Sequence, residues 1–417
     1  MKNCDIVIIG GGPAGLAAAV SAYDNGCKDI LVLERDEILG GILNQCIHNG
    51  FGLTRFKESM TGPEYAYKFI AEIKKRNIPI KLNTTVLSLS SDKVITAIND
   101  SDGVFQIKAK AVVLAMGCRE RSKGALNIAG SRPSGIYSAG TAQKFVNVQG
   151  WLPGKDVVIL GSGDIGLIMA RRMTLEGAKV HAVCEIMPHS SGLKRNIAQC
   201  LNDFDIPLYL SHTITRIDGK DRVVGVEISQ VDQDKKPIKG TERYIECDTV
   251  LFSVGLIPEN ELSKGAGVEL SNGTKGAVVY QNRETSISGV FACGNVLQVH
   301  DLVDFVSEES ELAGKSASEY VLNGEKDKKV VDCKAENGVS YVLPQKINTL
   351  LKGDVTLYFR VNGVYKNCRV VVSDGEKEIL SIKKRIVSPG EMERVVLKED
   401  KIQTLTNKLC VSVEIDG

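Results

Sequence analysis

The chain has 417 residues, 43% hydrophobic and 25% charged, a length that exceeds one ordinary core and implies about two or three domains. A formal net charge of +1 with no lysine- or arginine-rich run strong enough to offset it argues against nucleic acid as a partner. No apolar stretch reaches the roughly 20 residues of a membrane span, and eleven scattered cysteines without a C-x-x-C pair predict no disulfide scaffold and no metal site. Such thiols fit a reducing, cytoplasmic setting.

The first element is Asp5-Ile6-Val7-Ile8-Ile9, continuously apolar from Ile6, as expected of a buried parallel strand. Gly10-x-Gly12-x-x-Gly15 follows, with Pro13 and Ala14 opening an alanine-rich helix to about Asn25. The next strand, Ile30–Leu33, ends on Glu34 and Arg35. Such a turn lets backbone amides and a helix N-terminus meet a pyrophosphate. Glu34, 24 positions after Gly10, is placed to accept hydrogen bonds from ribose hydroxyls.

A helix is predicted over about 63–75, then strands near 80–89, 94–98, 105–109 and 111–115. From Val157 the opening pattern repeats: an apolar strand, Gly161-x-Gly163-x-x-Gly166 with Asp164 and Ile165 inside it, a helix, and a strand ending on Glu185, again 24 positions on. A carboxylate there bonds a free 2′-hydroxyl and repels a 2′-phosphate, so NAD(H) is expected over its phosphorylated form. A hairpin is predicted at 213–217 and 223–228. After the charged run Glu325–Lys329, read as a linker, short β segments lie at 340–343, 355–361, 369–372, 378–383, 393–397 and 409–415. They predict a small antiparallel sandwich or barrel.

With these units in place, residues 1–325 resemble the flavoproteins with two dinucleotide-binding domains, the superfamily of glutathione reductase and thioredoxin reductase. Gly40-Gly41 resembles that family's second glycine pair. Ala115-Met116-Gly117 resembles its strand-to-glycine return, and the segment around Gly255 the end of its NAD domain. Thr285…Gly289-Val290-Phe291-Ala292-Cys293-Gly294-Asn295 resembles the late FAD motif, with Asn295 where the family carries aspartate. The resemblance implies FAD at the first unit and NAD(H) at the second, with hydride transfer between them.

The implied fold class is α/β: two Rossmann-like domains, the second inserted in the first, plus a small C-terminal all-β domain. The expected boundaries are 1–120 with 285–325 for FAD, 121–284 for NAD, and 330–417 for the sandwich. The stretch Gly40–Gly52 lacks the second cysteine of the disulfide reductases. It is more similar to dehydrogenases related to flavin subunits of amino-acid-oxidising complexes, including those encoded alongside anaerobic glycerol-3-phosphate dehydrogenase. That likeness implies a dehydrogenase partner subunit and is compatible with a homo-oligomer.

Candidate chemistry rests on Cys46, as a redox thiol or a packing residue. It rests also on His48, as an acid or a loop histidine, and on His300 with Asp301, as site-lining or helix-start residues. Arg119 and Arg121 fit phosphate contact or ion pairing equally, Cys293 reads as structural, and Glu308, Glu309 and Glu311 read as a solvated helix face. Three activities follow. The first is an electron-transferring subunit, the second a stand-alone NADH oxidase or peroxidase using Cys46, and the third a nucleotide-sensing interaction protein without turnover.

Overall fold

The computed structural model describes residues 2–415; Met1, Asp416 and Gly417, at the ends of the expected domains, lie outside it. The described residues divide into two compact units, one of 2–118 with 258–415 and the other of 119–257.

The first unit is built on a sheet in which the strand Lys2–Ile9 pairs in parallel with Ile30–Leu33 on one side and with Gly103–Leu114 on the other. The strand Gly103–Leu114 is twelve residues long and serves two further partners. Its first half runs antiparallel to Val94–Asn99, and its last residues run parallel to Val290–Ala292. The sheet is buried on both faces: Ile6, Ile8, Val32 and Val113 join one core, and Val7, Ile9, Leu31, Leu33 and Val112 join another. This is why these strands read as unbroken apolar runs.

Helix Pro13–Asp24 starts with proline at its first position and buries Leu16, Ala17, Ala18, Ala19 and Ala22. Its small residues admit helix Val303–Asn323 at close range: a side chain at Gly314 would fall 2.1 Å from the Ala18 carbonyl oxygen. Helix Gly62–Lys75 opens with a capping box between Thr61 and Glu64 and buries Tyr65, Ala66, Phe69 and Ile73, one stripe at helical spacing.

The C-terminal segment forms two sheets. One is ordered 346–348, 330–335, 409–415, 365–374, 377–387, and the other 339–343, 355–361, 393–397. Between them lies a core that includes Ile347, Leu357, Phe359, Val370 and Val411. The sandwich is not set apart by a free linker. Leu343 and Tyr358 belong to the same core as Val7 and Leu114, Lys328 Nζ pairs with Glu284 at 3.3 Å, and the Lys329 amide donates to Asn348. The charged run is therefore pinned at both of these residues.

The second unit has its own five-stranded parallel sheet, ordered 136–138, 249–252, 156–160, 179–185, 208–210. A four-stranded sheet beside it contains the hairpin His212–Gly219 and Val223–Gln230. This unit ends at Ile257, at the segment around Gly255 that resembles the end of an NAD domain and short of the expected boundary at 284. The reason lies in Val268, Ala277 and Val279, which pack with Ile9, Val290 and Ala292 in the core of the first unit.

Candidate functional site

In the first unit the glycine turn is fixed by contact. A side chain on Gly15 would fall 1.8 Å from the Gly10 carbonyl oxygen, and one on Gly10 would fall 2.4 Å from that of Ala115. Gly12 differs. A side chain there would meet nothing nearer than the Gly41 Cα at 3.9 Å, so its face is an open cradle bordered by Gly41. Gly12 caps the helix without a side-chain hydrogen bond, which leaves first-turn amides free to bind an anion.

The Glu34 carboxylate is buried and held rigidly, accepting from the Gly11 amide at 2.6 Å and from the Asp36 amide at 2.8 Å. Arg35 beside it is exposed. A cradle, uncapped amides and a fixed carboxylate fit the pyrophosphate and ribose of FAD.

The second unit reproduces this arrangement. Side chains on Gly161 and Gly166 would meet the Ser253 and Gly161 carbonyl oxygens at 2.0 and 2.7 Å, and Gly163 caps its helix without a side chain. Glu185 is buried and accepts from the Ser162 amide at 3.0 Å, the Ser162 hydroxyl at 2.6 Å and the Met187 amide at 3.0 Å. Asp164 plays another part, accepting from the Leu193 amide and the Asn196 side chain. It therefore ties down the 190–196 segment. Ile165 packs against the core of this unit, and Gly255 lies in the left-handed region with φ 100°.

Late in the chain, Gly294 returns to the first helix, where a side chain on it would fall 2.7 Å from the Ala14 Cβ. Gly117, with φ 73°, precedes Cys118, whose sulfur accepts from the Asn295 amide nitrogen at 3.6 Å. The Asn295 oxygen accepts from the His300 amide at 3.1 Å.

His300 itself is not an accessible catalytic group. Its side chain has no exposed surface, and Nε2 lies 2.9 Å from Glu309 Oε2. Glu309 is equally buried and also accepts from Arg283 Nε, Gln298 Nε2 and the Gly294 amide at 3.0–3.1 Å. Burial alone would raise the Glu309 pKa, but His300, Arg283 and the Gly294 amide outweigh it and hold the carboxyl below its usual range. The sequence reading of Glu309 as solvated is thus corrected. The signal was present in the spacing, since Glu309 falls with Val306, Ala313 and Ala317 on the buried stripe of the helix. Glu308 does face solvent, whereas Asp301 is engaged with Arg360.

Cys46 donates to the Ile42 carbonyl at 3.3 Å, and burial pushes its thiol up to about 12. A protonated thiol is the reverse of the thiolate that redox catalysis needs. His48 lies against the Phe51 ring at 5.0 Å. Cys293 is fully buried, its thiol likewise pushed up to about 12. No disulfide joins any two of the cysteines, and no metal-binding cluster occurs among the described residues.

Residues 4–317 match the pyridine nucleotide-disulphide oxidoreductase family. The chain belongs to that family. Its members are flavoproteins that use FAD and NAD(P)H, and this chain is accordingly an FAD-dependent NAD(P)H oxidoreductase. It is 27% identical over 336 residues to thioredoxin reductase of Mycolicibacterium smegmatis, a match covering 77% of this chain and 96% of the relative. It is 24% identical over 284 residues to hydrogen cyanide synthase subunit HcnB of Pseudomonas protegens, covering 63% of this chain and 59% of the relative. Among solved structures it resembles thioredoxin reductase of T. acidophilum with TM-score 0.63 at 25% identity, over 78% of this chain and all of that one. The family match ends at residue 317, before the sandwich. Among the described residues no helix is long and apolar enough to cross a membrane.

Proposed function

We propose that this chain moves a hydride between NAD(H) and FAD, and that the electrons pass to or from a partner dehydrogenase subunit rather than through a cysteine pair. The observation that carries this reading is the lack of a C-x-x-C pair anywhere in the sequence. The cysteines contain no disulfide among the described residues, and burial pushes the Cys46 thiol up to about 12. The partial match to a protein described as a hydrogen cyanide synthase subunit supports a role inside a larger assembly. The likeness of Gly40–Gly52 to flavin subunits encoded with anaerobic glycerol-3-phosphate dehydrogenase belongs to the same proposal.

In this reading Gly10, Gly12, Pro13, Ala14 and Gly15 would hold the FAD pyrophosphate at the open cradle, with Glu34 on the ribose and Gly41, Ala115, Gly117, Gly294 and Asn295 around the remainder. Gly161, Gly163 and Gly166 would hold the nicotinamide dinucleotide, with Glu185 selecting the unphosphorylated ribose. Bound flavin supplies the hydride chemistry, and the protein supplies orientation and electrostatics. Anaerobic stopped-flow mixing of the holoprotein with NADH tests the proposal. Rapid bleaching of the flavin spectrum, with no turnover of a disulfide substrate, is the expected result. Efficient NADH-dependent reduction of a disulfide such as dithiobisnitrobenzoate by the lone chain would overturn it.

A further inference from the structure

We propose that the C-terminal sandwich is a working part of the flavin site, with Arg360 as its positioning residue. This rests on flavin binding in the first unit and goes beyond the electron partner proposed above.

The loop Val299–Leu302 joins the turn Gly294–Val296 to the long helix at Val303. The sandwich grips this loop with groups from different segments. Arg360, on the strand Val355–Val361, donates from Nη2 to the Val299 carbonyl at 3.1 Å and pairs with one oxygen of Asp301. Its other terminal nitrogen donates to the Pro389 carbonyl at 3.2 Å. The second Asp301 oxygen accepts from the Met392 amide at 2.7 Å, so both oxygens of one carboxylate are claimed by the sandwich. The Tyr358 ring meets His300 edge-on at 6.4 Å, and the Arg283 guanidinium lies 5.7 Å from the same ring.

These contacts reach the flavin side through one short relay. Asp301 and Val299 flank His300, whose amide donates to the Asn295 oxygen. An N–H group pairs with an oxygen and not with an amide nitrogen. The His300 amide therefore fixes which end of the Asn295 side chain is presented: the oxygen turns to the loop, and the nitrogen turns outward, toward Cys118. If the loop shifts, Asn295 loses its fixed orientation. The Arg360–Asp301 pair is largely shielded, with side chains 17% and 18% exposed, and a shielded pair does not trade readily for water.

The test compares Arg360→Met and Asp301→Asn with the full-length holoprotein. Both are expected to raise the FAD dissociation constant about tenfold and to alter the visible circular dichroism of the bound flavin, which reports its surroundings. Arg360→Lys keeps the charge but loses the forked reach to Val299 and Pro389, so it is expected to restore part of both signals. Lys398→Met breaks the exposed sandwich pair with Asp354 and is expected to move neither. If Arg360→Met fails to fold, the near-isosteric Asp301→Asn carries the comparison. Wild-type affinity and an unchanged visible spectrum in Asp301→Asn and in any folded Arg360 variant, with only the melting temperature lowered, would reduce the pair to a structural strut and overturn the proposal. Neither readout uses NADH or an electron partner, so failure here and failure of the electron-transfer reading are separable.

Discussion

Glu185 accepts hydrogen bonds from both the amide and the hydroxyl of Ser162, at 3.0 and 2.6 Å. The carboxylate is thereby fixed and buried, and in the function proposed above it stands beside the adenosine ribose of the dinucleotide. A 2′-phosphate at that place faces a carboxylate that cannot swing away. NADH is expected to reduce the flavin at least about tenfold more efficiently than NADPH, a difference of about 1.4 kcal/mol. Glu185→Ala should narrow the ratio mainly by weakening NADH. Stopped-flow reduction with each nucleotide measures it, and equal rates in the wild type would refute the selectivity.

Gly12 and Gly15 separate binding from folding. A methyl group on Gly15 collides with the Gly10 carbonyl, whereas one on Gly12 meets open space on the protein side. Gly12 has φ −77°, a value that alanine adopts without strain. Gly12→Ala is expected to leave apoprotein stability within about 0.5 kcal/mol of wild type yet purify without flavin. Gly15→Ala should lose flavin and about 3 kcal/mol of stability. Flavin absorbance and urea midpoints distinguish the two. A flavin-replete Gly12→Ala would remove that face from the cofactor cradle.

The parts legible in the sequence were those whose partners lie close along the chain. Gly10 to Glu34, and Gly161 to Glu185, are each a single strand–turn–helix–strand unit, and the carboxylate bonds back to the turn within it. What escaped depends on long-range packing. The run 105–115 read as two strands broken at Lys110, whereas it is one strand, Gly103–Leu114, whose halves answer to different neighbours. His300 and Glu309 became one buried cluster because Arg283, 26 residues away, arrives to balance the charge. The sandwich strands were visible, but their attachment through Asp301, Arg360 and Met392 had no local signature.

A thiol pushed up to about 12 by burial disfavours the thiolate at neutral pH. Cys46 is therefore a poor peroxide nucleophile despite its place in the glycine-rich stretch. Cys46→Ser is expected to leave any NADH–peroxide turnover within about twofold of wild type. Coupled NADH oxidation at fixed peroxide concentration measures it. Abolished turnover with flavin reduction intact would restore the peroxidase reading.

Glu309→Gln puts an amide nitrogen among the donors of Arg283, Gln298, His300 and Gly294. It should cost about 3 kcal/mol at neutral pH, because it leaves Arg283 charged and buried beside a neutral group. The sign of the pH dependence follows from the carboxyl. Its folded pKa lies below the ordinary 4.5, so the folded state binds fewer protons than the unfolded chain in that range. The stabilisation is complete above pH 4.5 and is lost as pH falls through the folded value. Urea midpoints of wild type and Glu309→Gln should therefore be widely separated at pH 7 and converge on acidification below 4.5. Curves that stay parallel into the acid range would mean that the carboxylate charge is not what holds the Gly294–His300 loop.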